Sequence, residues 1–177
     1  MQYLIAHMLS GEAANYHGEL SDRVARERKL TPVRTRIEPH LTLKAPFDAE
    51  DVSRIENILE EFSHKELPQP YTLVGFESFD GKVLYMHVDA PKQTHMLVRR
   101  LQDQLRNVPW LTFKKTEFPV TLHATVVYPK SREQCKEILK DLQKEKFRFD
   151  CQLYSIALLQ KSIDKWELIK EYQLQIF

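Results

Sequence analysis

Two short stretches place the same pair of reactive groups at the same spacing. "EPHLTLKAPF", residues 38–47, carries His40 and Thr42, and "TLHATVVYP", residues 121–129, carries His123 and Thr125. Along a strand, residues i and i+2 share a face, with alpha carbons roughly 6.5 Å apart. Each stretch therefore presents one imidazole beside one hydroxyl, while Leu41 and Leu43, or Ala124 and Val126, turn the other way toward a core. Imidazole has an ordinary pKa of about 6.5, so near neutral pH one ring can take a proton while another gives one. Threonine hydroxyls can donate to the non-bridging oxygens of a phosphate and hold the phosphorus in line. Two imidazoles and two hydroxyls around one phosphodiester supply acid, base and anion ligands without a metal.

A single motif of this kind is explained well enough by an ordinary strand with one wet face, since threonine is common in strands. The composition, however, predicts roughly 0.15 chance matches to His-x-Thr-apolar per chain. Two matches, 83 positions apart and thus close to half the chain, point instead to a shared task. Lys44 has the strand parity of His40 and Thr42 and is a candidate to face the phosphate. Arg34, Arg36, Lys114, Lys115 and Lys130 bracket the two motifs and could line a basic cleft, or could be ordinary solvated charges. Tyr128 and Trp166 are candidates to flank the cleft and stack on a base; packing aromatics are the equal alternative. His87 and Asp89 share a face but find no third ligand at plausible spacing, so no metal site is expected.

These residues need strands to hold them and helices to bury the strands' backs. "QYLIAHML" reads as a first strand, followed by a helix over 11–29 with Tyr16, Leu20 and Val24 in helical register. A strand over 39–45 leads to a helix over 48–62, with Val52, Ile55, Ile58, Leu59 and Phe62 on one stripe. Strands over 71–79 and 82–90 flank Asp80-Gly81, a strong hairpin signal. A helix over 91–108, a strand over 122–129, a helix over 131–145 capped by Ser131, and strands over 147–160 and 166–177 complete the pattern. Hairpins among mixed elements predict an α+β fold with antiparallel sheets. The recurrence of a His-Thr strand, a helix and two strands in each half suggests internal duplication, with two lobes meeting across a cleft.

The 177 residues are enough for one domain or two small lobes with a core. A net charge of +1 argues against coating long nucleic acid by bulk electrostatics. No glycine-rich dinucleotide or nucleoside-triphosphate motif occurs among the four glycines, so no such cofactor is expected. Cys135 and Cys151 form no close pair, and neither a disulfide framework nor structural zinc is expected. The start lacks a basic region and a long apolar run, so the expectation is a cytoplasmic protein with no signal peptide and no membrane partner.

The two motifs "HLTL" and "HATV", their separation, the "PHLTLKAPF" context and the closing "LYSIALLQKSIDKWELIKEYQL" resemble the 2H phosphoesterase superfamily, which includes bacterial 2′-5′ RNA ligase-like proteins and 2′,3′-cyclic phosphodiesterases. The resemblance covers nearly the whole chain. It implies one pseudo-symmetric bilobal domain over residues 1–177, with antiparallel sheets lining a central cleft and His40, Thr42, His123 and Thr125 as the catalytic set. In many relatives a proline precedes the second histidine; here Leu122 stands there. The expected activity is metal-independent cleavage of a 2′,3′-cyclic phosphate or 2′-5′ linkage on RNA ends or small nucleotides, without a cofactor or an obligate protein partner. The alternative is an RNA- or nucleotide-binding module that keeps the cleft with little or no turnover.

Overall fold

The structure, a computed structural model, describes residues 1–118 and 120–175. In chain order the elements are β1 Gln2–Met8, α1 Gly11–Arg28, β2 His40–Asp48, α2 Ser53–Ser63, β3 Gln69–Phe79, β4 Val83–Asp89, α3 Lys92–Leu105, β5 His123–Val127, α4 Arg132–Leu142, β6 Phe149–Leu153, β7 Ser155–Lys161 and β8 Trp166–Gln173. Residues 176 and 177, the end of the predicted last strand, lie outside the described residues.

The strands form two four-stranded antiparallel sheets, ordered β2-β1-β7-β8 and β5-β4-β3-β6. The α+β architecture of two helix-packed antiparallel sheets is as predicted. The halves of the sequence do not map onto the two sheets, however. The predicted strand over 147–160 breaks at Tyr154, where the chain crosses from β6 in the second sheet to β7 in the first. The pattern changes there: β6 alternates, as an edge strand with one solvated face should, while β7 is buried through Ser155–Leu159, as a central strand covered on both sides requires.

Local chemistry accounts for the element ends. Asp80 and Gly81 both take positive φ, 49° and 69°, as a hairpin turn matched to strand twist demands, and Lys82 N–H closes it on Phe79 O at 2.9 Å. The Ser131 hydroxyl accepts from Gln134 N–H at 3.1 Å and starts α4. Pro46 lies within β2 without harm because β2 is an edge strand.

The apolar stripes of the helices pack into one cluster that draws on both sheets. From α2 come Ile55, Leu59 and Phe62; from α3, Leu97, Val98, Leu101 and Leu105; from α4, Cys135, Ile138 and Leu142. Each large side chain so buried contributes about 1.5–3 kcal/mol relative to exposure. A buried histidine ties the sheets together inside this core. His7 on β1 donates from Nδ1 to Ser155 O at 3.1 Å, because a carbonyl can only accept, and its Nε2 accepts from the Tyr71 hydroxyl on β3 at 3.1 Å. Burial pushes the His7 pKa down to about 4, against the smaller opposing effect of its hydrogen bond to Ser155.

This buried neutral imidazole sets a pH window for stability. In the unfolded chain His7 titrates near its ordinary value, about 6.5. Above that pH neither state is protonated and the contribution is complete. As pH falls toward about 4, the unfolded state takes a proton that the folded state refuses, and stability is lost, by up to about 3 kcal/mol for this group. His7→Leu should be less stable than the parent at pH 7, since it strands Tyr71 and Ser155. The gap between the two proteins should then narrow as pH falls to 4.5. Urea unfolding at stepped pH measures this, and a gap that stays constant would contradict it.

Candidate active site

β2 and β5 are each an edge strand of their sheet, and they pack against each other. The two His-Thr pairs are thereby carried on facing edges. On one side His40 stands opposite Met8 and Thr42 opposite Ala6; on the other, His123 stands opposite His87 and Thr125 opposite Tyr85. The two imidazoles are anchored identically. His40 donates from Nδ1 to Glu38 O at 2.8 Å, and His123 donates from Nδ1 to Thr121 O at 2.8 Å. In both neutral rings Nδ1 therefore carries the hydrogen, and Nε2 is the basic nitrogen.

The two rings affect one another electrostatically. Burial pushes the His40 pKa down to about 4, with the charge of a protonated His123 adding to the depression and the Glu38 hydrogen bond opposing it. His123 is also held below its ordinary value, by burial, with the Thr121 carbonyl opposing. An anion between the rings would reverse the sign of this environment for one of them.

A third histidine holds the seam. Leu84 pairs with Val127 and Tyr85 with Thr125, so Val126 is an extra residue bulged out of β5. Consecutive β5 carbonyls then meet one face of α1, where residues four apart stack. His17 donates from Nε2 to Thr125 O at 2.9 Å, and Ser21 donates to Val126 O at 2.7 Å. His17 is 1% exposed, and its Nδ1 lacks a partner among the described residues. Burial pushes its pKa down to about 4, and the nearby charges of His40 and Arg34 push the same way. From sequence His17 reads as a surface or self-satisfied core residue. Its i, i+4 relation to Ser21 on an otherwise apolar face was the signal available.

The face of the second sheet that carries His123 and Thr125 also carries groups outside the two motifs. Glu77, Tyr85 and Thr125 form one row across β3, β4 and β5. The Tyr85 hydroxyl donates to Glu77 Oε2 at 3.0 Å, and His87 Nδ1 lies 3.4 Å from Glu77 Oε1. Phe79 stacks on Tyr85 with ring centres 4.3 Å apart and meets His123 edge-on at 4.8 Å.

One sequence candidate lies elsewhere. Lys44 does not share the face of His40 and Thr42. Ile5 pairs with Lys44 while Ala6 pairs with Thr42, so Leu43 is an extra residue, and the bulge reverses parity. Lys44 is instead buried, 3.0 Å from Glu117 Oε2, with its ammonium 4.6 Å from the Phe113 ring centre. Trp166 opens β8 beside Lys161, at the Gln2 end of the first sheet, whereas His40 pairs at the Met8 end. It packs against the cluster of Leu4, Ala6, Val33, Ile37, Ala157 and Leu159, and Ala6 stands opposite Thr42, so Trp166 shares the Thr42 face of the first sheet at its far end. Tyr128 is exposed just past β5. Arg34 is occupied by Asp22 and Glu38. An open concavity of about 590 Å³ runs along α3, between Lys92 and Phe118, and is lined by none of the motif residues. Among the described residues no three His, Cys, Asp or Glu side chains converge as metal ligands, and no helix is long and apolar enough to cross a membrane.

Two helix-packed antiparallel sheets, joined along edge strands that each carry a His-x-Thr pair, define the two-lobed architecture of phosphoesterases with paired histidines. The family model "2'-5' RNA ligase superfamily" matches residues 12–164, and the chain belongs to that superfamily. A Bacillus pumilus (strain SAFR-032) protein described as "Putative phosphoesterase" is 26% identical over 153 residues, covering 84% of this chain and 78% of the relative. Among solved structures, TT0787 of Thermus thermophilus superposes with a TM-score of 0.72 at 15% identity, covering 98% of each chain. LigT of E. coli, complexed with 3′-AMP, superposes with a TM-score of 0.58 at 15% identity, covering 99% of this chain and 98% of that one.

The Lys44–Glu117 pair braces the segment that delivers His123 to the seam, since Glu117 also accepts from Ala45 N–H at 3.2 Å and Lys114 N–H at 2.7 Å. Removing one member of a buried pair leaves an uncompensated charge, at a cost of about 3–5 kcal/mol. Glu117→Ala should lose stability of that size in urea unfolding, and adding Lys44→Met should recover part of it. A single variant within about 1 kcal/mol of the parent would show that the pair is not a brace.

Proposed function

We propose that the protein is a metal-independent phosphodiesterase acting on 2′,3′-cyclic phosphate or 2′-5′ linkages of RNA ends or small nucleotides. The observation that carries this reading is the matched anchoring of two imidazoles, each donating from Nδ1 to the carbonyl two residues before it, on two edge strands that pack together. Membership of the superfamily supports the reaction class, and the complex of LigT with 3′-AMP supports a nucleotide ligand.

In cleavage of a cyclic phosphate, the neutral Nε2 of one histidine takes a proton from an attacking water as its oxygen bonds to phosphorus. The other histidine, protonated, gives its Nε2 proton to the departing ribose oxygen. The carbonyls of Glu38 and Thr121 hold the rings in the tautomer this needs and stabilise whichever becomes imidazolium. Thr42 and Thr125 donate to the non-bridging oxygens as charge builds there. Each residue then exchanges role in the reverse direction, so the same set serves ligation in principle.

His40→Ala and His123→Ala should each lower kcat/KM on 2′,3′-cyclic nucleotides by about 10² to 10⁴ while the fold survives. The double variant should lose little more than the worse single one, because the groups act as a unit. A single variant with near-parental turnover would sink the acid-base assignment. A parent protein that binds nucleotides but never turns them over would instead be the binding module.

Because burial holds both histidines below their ordinary pKa, the bell-shaped pH profile of kcat/KM should peak on the acid side of neutrality. Activity falls at lower pH as the base is protonated and at higher pH as the acid loses its proton. The maximum of kcat should lie at higher pH than that of kcat/KM, since bound phosphate favours imidazolium. Coincident maxima at or above about pH 7.5 would contradict the depressed values.

A further inference from the structure

The row Glu77–Tyr85–Thr125 extends from the second motif across two strand spacings, about 10 Å. That is of the order of the distance from the 2′ and 3′ oxygens of a nucleoside to the far edge of its base. Between the two ends lie the stacked rings of Phe79 and Tyr85, beside His123. Tyr85 is buried beneath this stack and Phe79 is half-buried, so a nucleoside whose phosphate is held between the histidines would extend over Phe79 toward Glu77.

The Glu77 carboxylate is oriented rather than loose. The Tyr85 hydroxyl holds it, donating to Oε2 at 3.0 Å; His87 Nδ1 lies 3.4 Å from Oε1 without a hydrogen bond. Burial, then the contact with Glu77, pushes the Tyr85 pKa up to about 12, so it stays a donor. Each carboxylate oxygen can accept two hydrogen bonds, so each retains capacity, and the Glu77 side chain is 54% exposed. What remains is a fixed pair of acceptors facing solvent. Guanine is the base with two adjacent donors on its Watson–Crick edge, the N1 hydrogen and the N2 amino group. Adenine and cytosine each place an amino group beside a bare ring nitrogen, and uracil flanks its one donor with two carbonyls. Against those three bases the carboxylate meets at least one unshared pair.

We propose that Glu77 is a specificity-determining residue that selects guanine, making a guanosine with a 2′,3′-cyclic phosphate the favoured ligand of the cleft. This rests on the phosphodiesterase reading only for where the phosphate sits. The test uses two readouts on the full chain. One is kcat/KM on the four nucleoside 2′,3′-cyclic phosphates; the other is calorimetric binding of the four nucleoside 3′-monophosphates. The parent should favour guanosine by about ten-fold or more in both, as a good bidentate base contact discriminates. Glu77→Gln presents one donor and one acceptor, the complement of adenine, so guanosine should fall to or below adenosine. A circular-dichroism melt confirms that the variant is folded. A short RNA ending in a guanosine cyclic phosphate, compared with the mononucleotide, distinguishes a strand end from a free nucleotide as the source of the guanosine.

All four bases within two-fold of each other in binding, or a guanosine preference that survives Glu77→Gln, overturns the proposal while leaving phosphodiester chemistry intact. Absent turnover with a guanosine preference in binding does the reverse: it refutes the phosphodiesterase and retains the guanine site. Failure to bind any of the four refutes both.

Discussion

The unpaired edges of β2 and β5 are the constraint around which the molecule is arranged. An edge strand presents backbone donors and acceptors that must find partners. Here the two histidine strands are both edges, and each is finished by the other lobe or by side chains rather than by another strand. α1 supplies His17 and Ser21 to successive carbonyls of β5, and the Val126 bulge makes both carbonyls available to one helical face. Because the same strands carry the His-Thr pairs, the bonds that close the seam also fix the distance and angle between the imidazoles. Rigid elements, not loops, therefore set the geometry of the cleft.

Burial of imidazole recurs in the molecule with different consequences. His7 has both ring nitrogens partnered and serves as a strut between sheets. His17 has one nitrogen partnered and positions a backbone carbonyl. His40 and His123 have only Nδ1 engaged among the described residues, leaving the other nitrogen for the proposed chemistry. The same side chain thus grades from scaffold to proposed reagent according to how many of its nitrogens the fold consumes. The low pKa that burial imposes has an added effect at the seam, where positive charge on several close rings would push the strands apart.

Much of this was legible in the sequence because it is written in local chemistry. The His-x-Thr alternation, the Asp80-Gly81 turn, the Ser131 cap and the helix stripes each follow from spacing within a few residues. What was not legible depends on events between strands. One bulge at Leu43 turns Lys44 from the cleft to the core, and nothing in "HLTLKAPF" announces it, since the extra residue is defined only against β1. The break at Tyr154 was hidden because apolar residues continue through it, and only the change from alternating to continuous burial betrays it. Glu77 and Tyr85 could have been paired by counting back from the hairpin turn. The importance of that row emerges only when β5 is laid beside β4.

The crossing at Tyr154 has a consequence for how the chain reaches this state. The second sheet is made of strands between residues 69 and 153, a contiguous span, whereas the first needs β1 and β2 together with β7 and β8. No continuous piece of the chain shorter than nearly its whole length contains the first sheet. During synthesis the second sheet can pair while β1 and β2 wait with open edges for strands more than a hundred residues away. Long-range closure of that kind raises contact order and slows folding, and it leaves apolar strand faces exposed in the interval. The charged, bulged character of β2 and the single long helix that follows β1 then have a second use: they keep a half-finished sheet from pairing with a stranger.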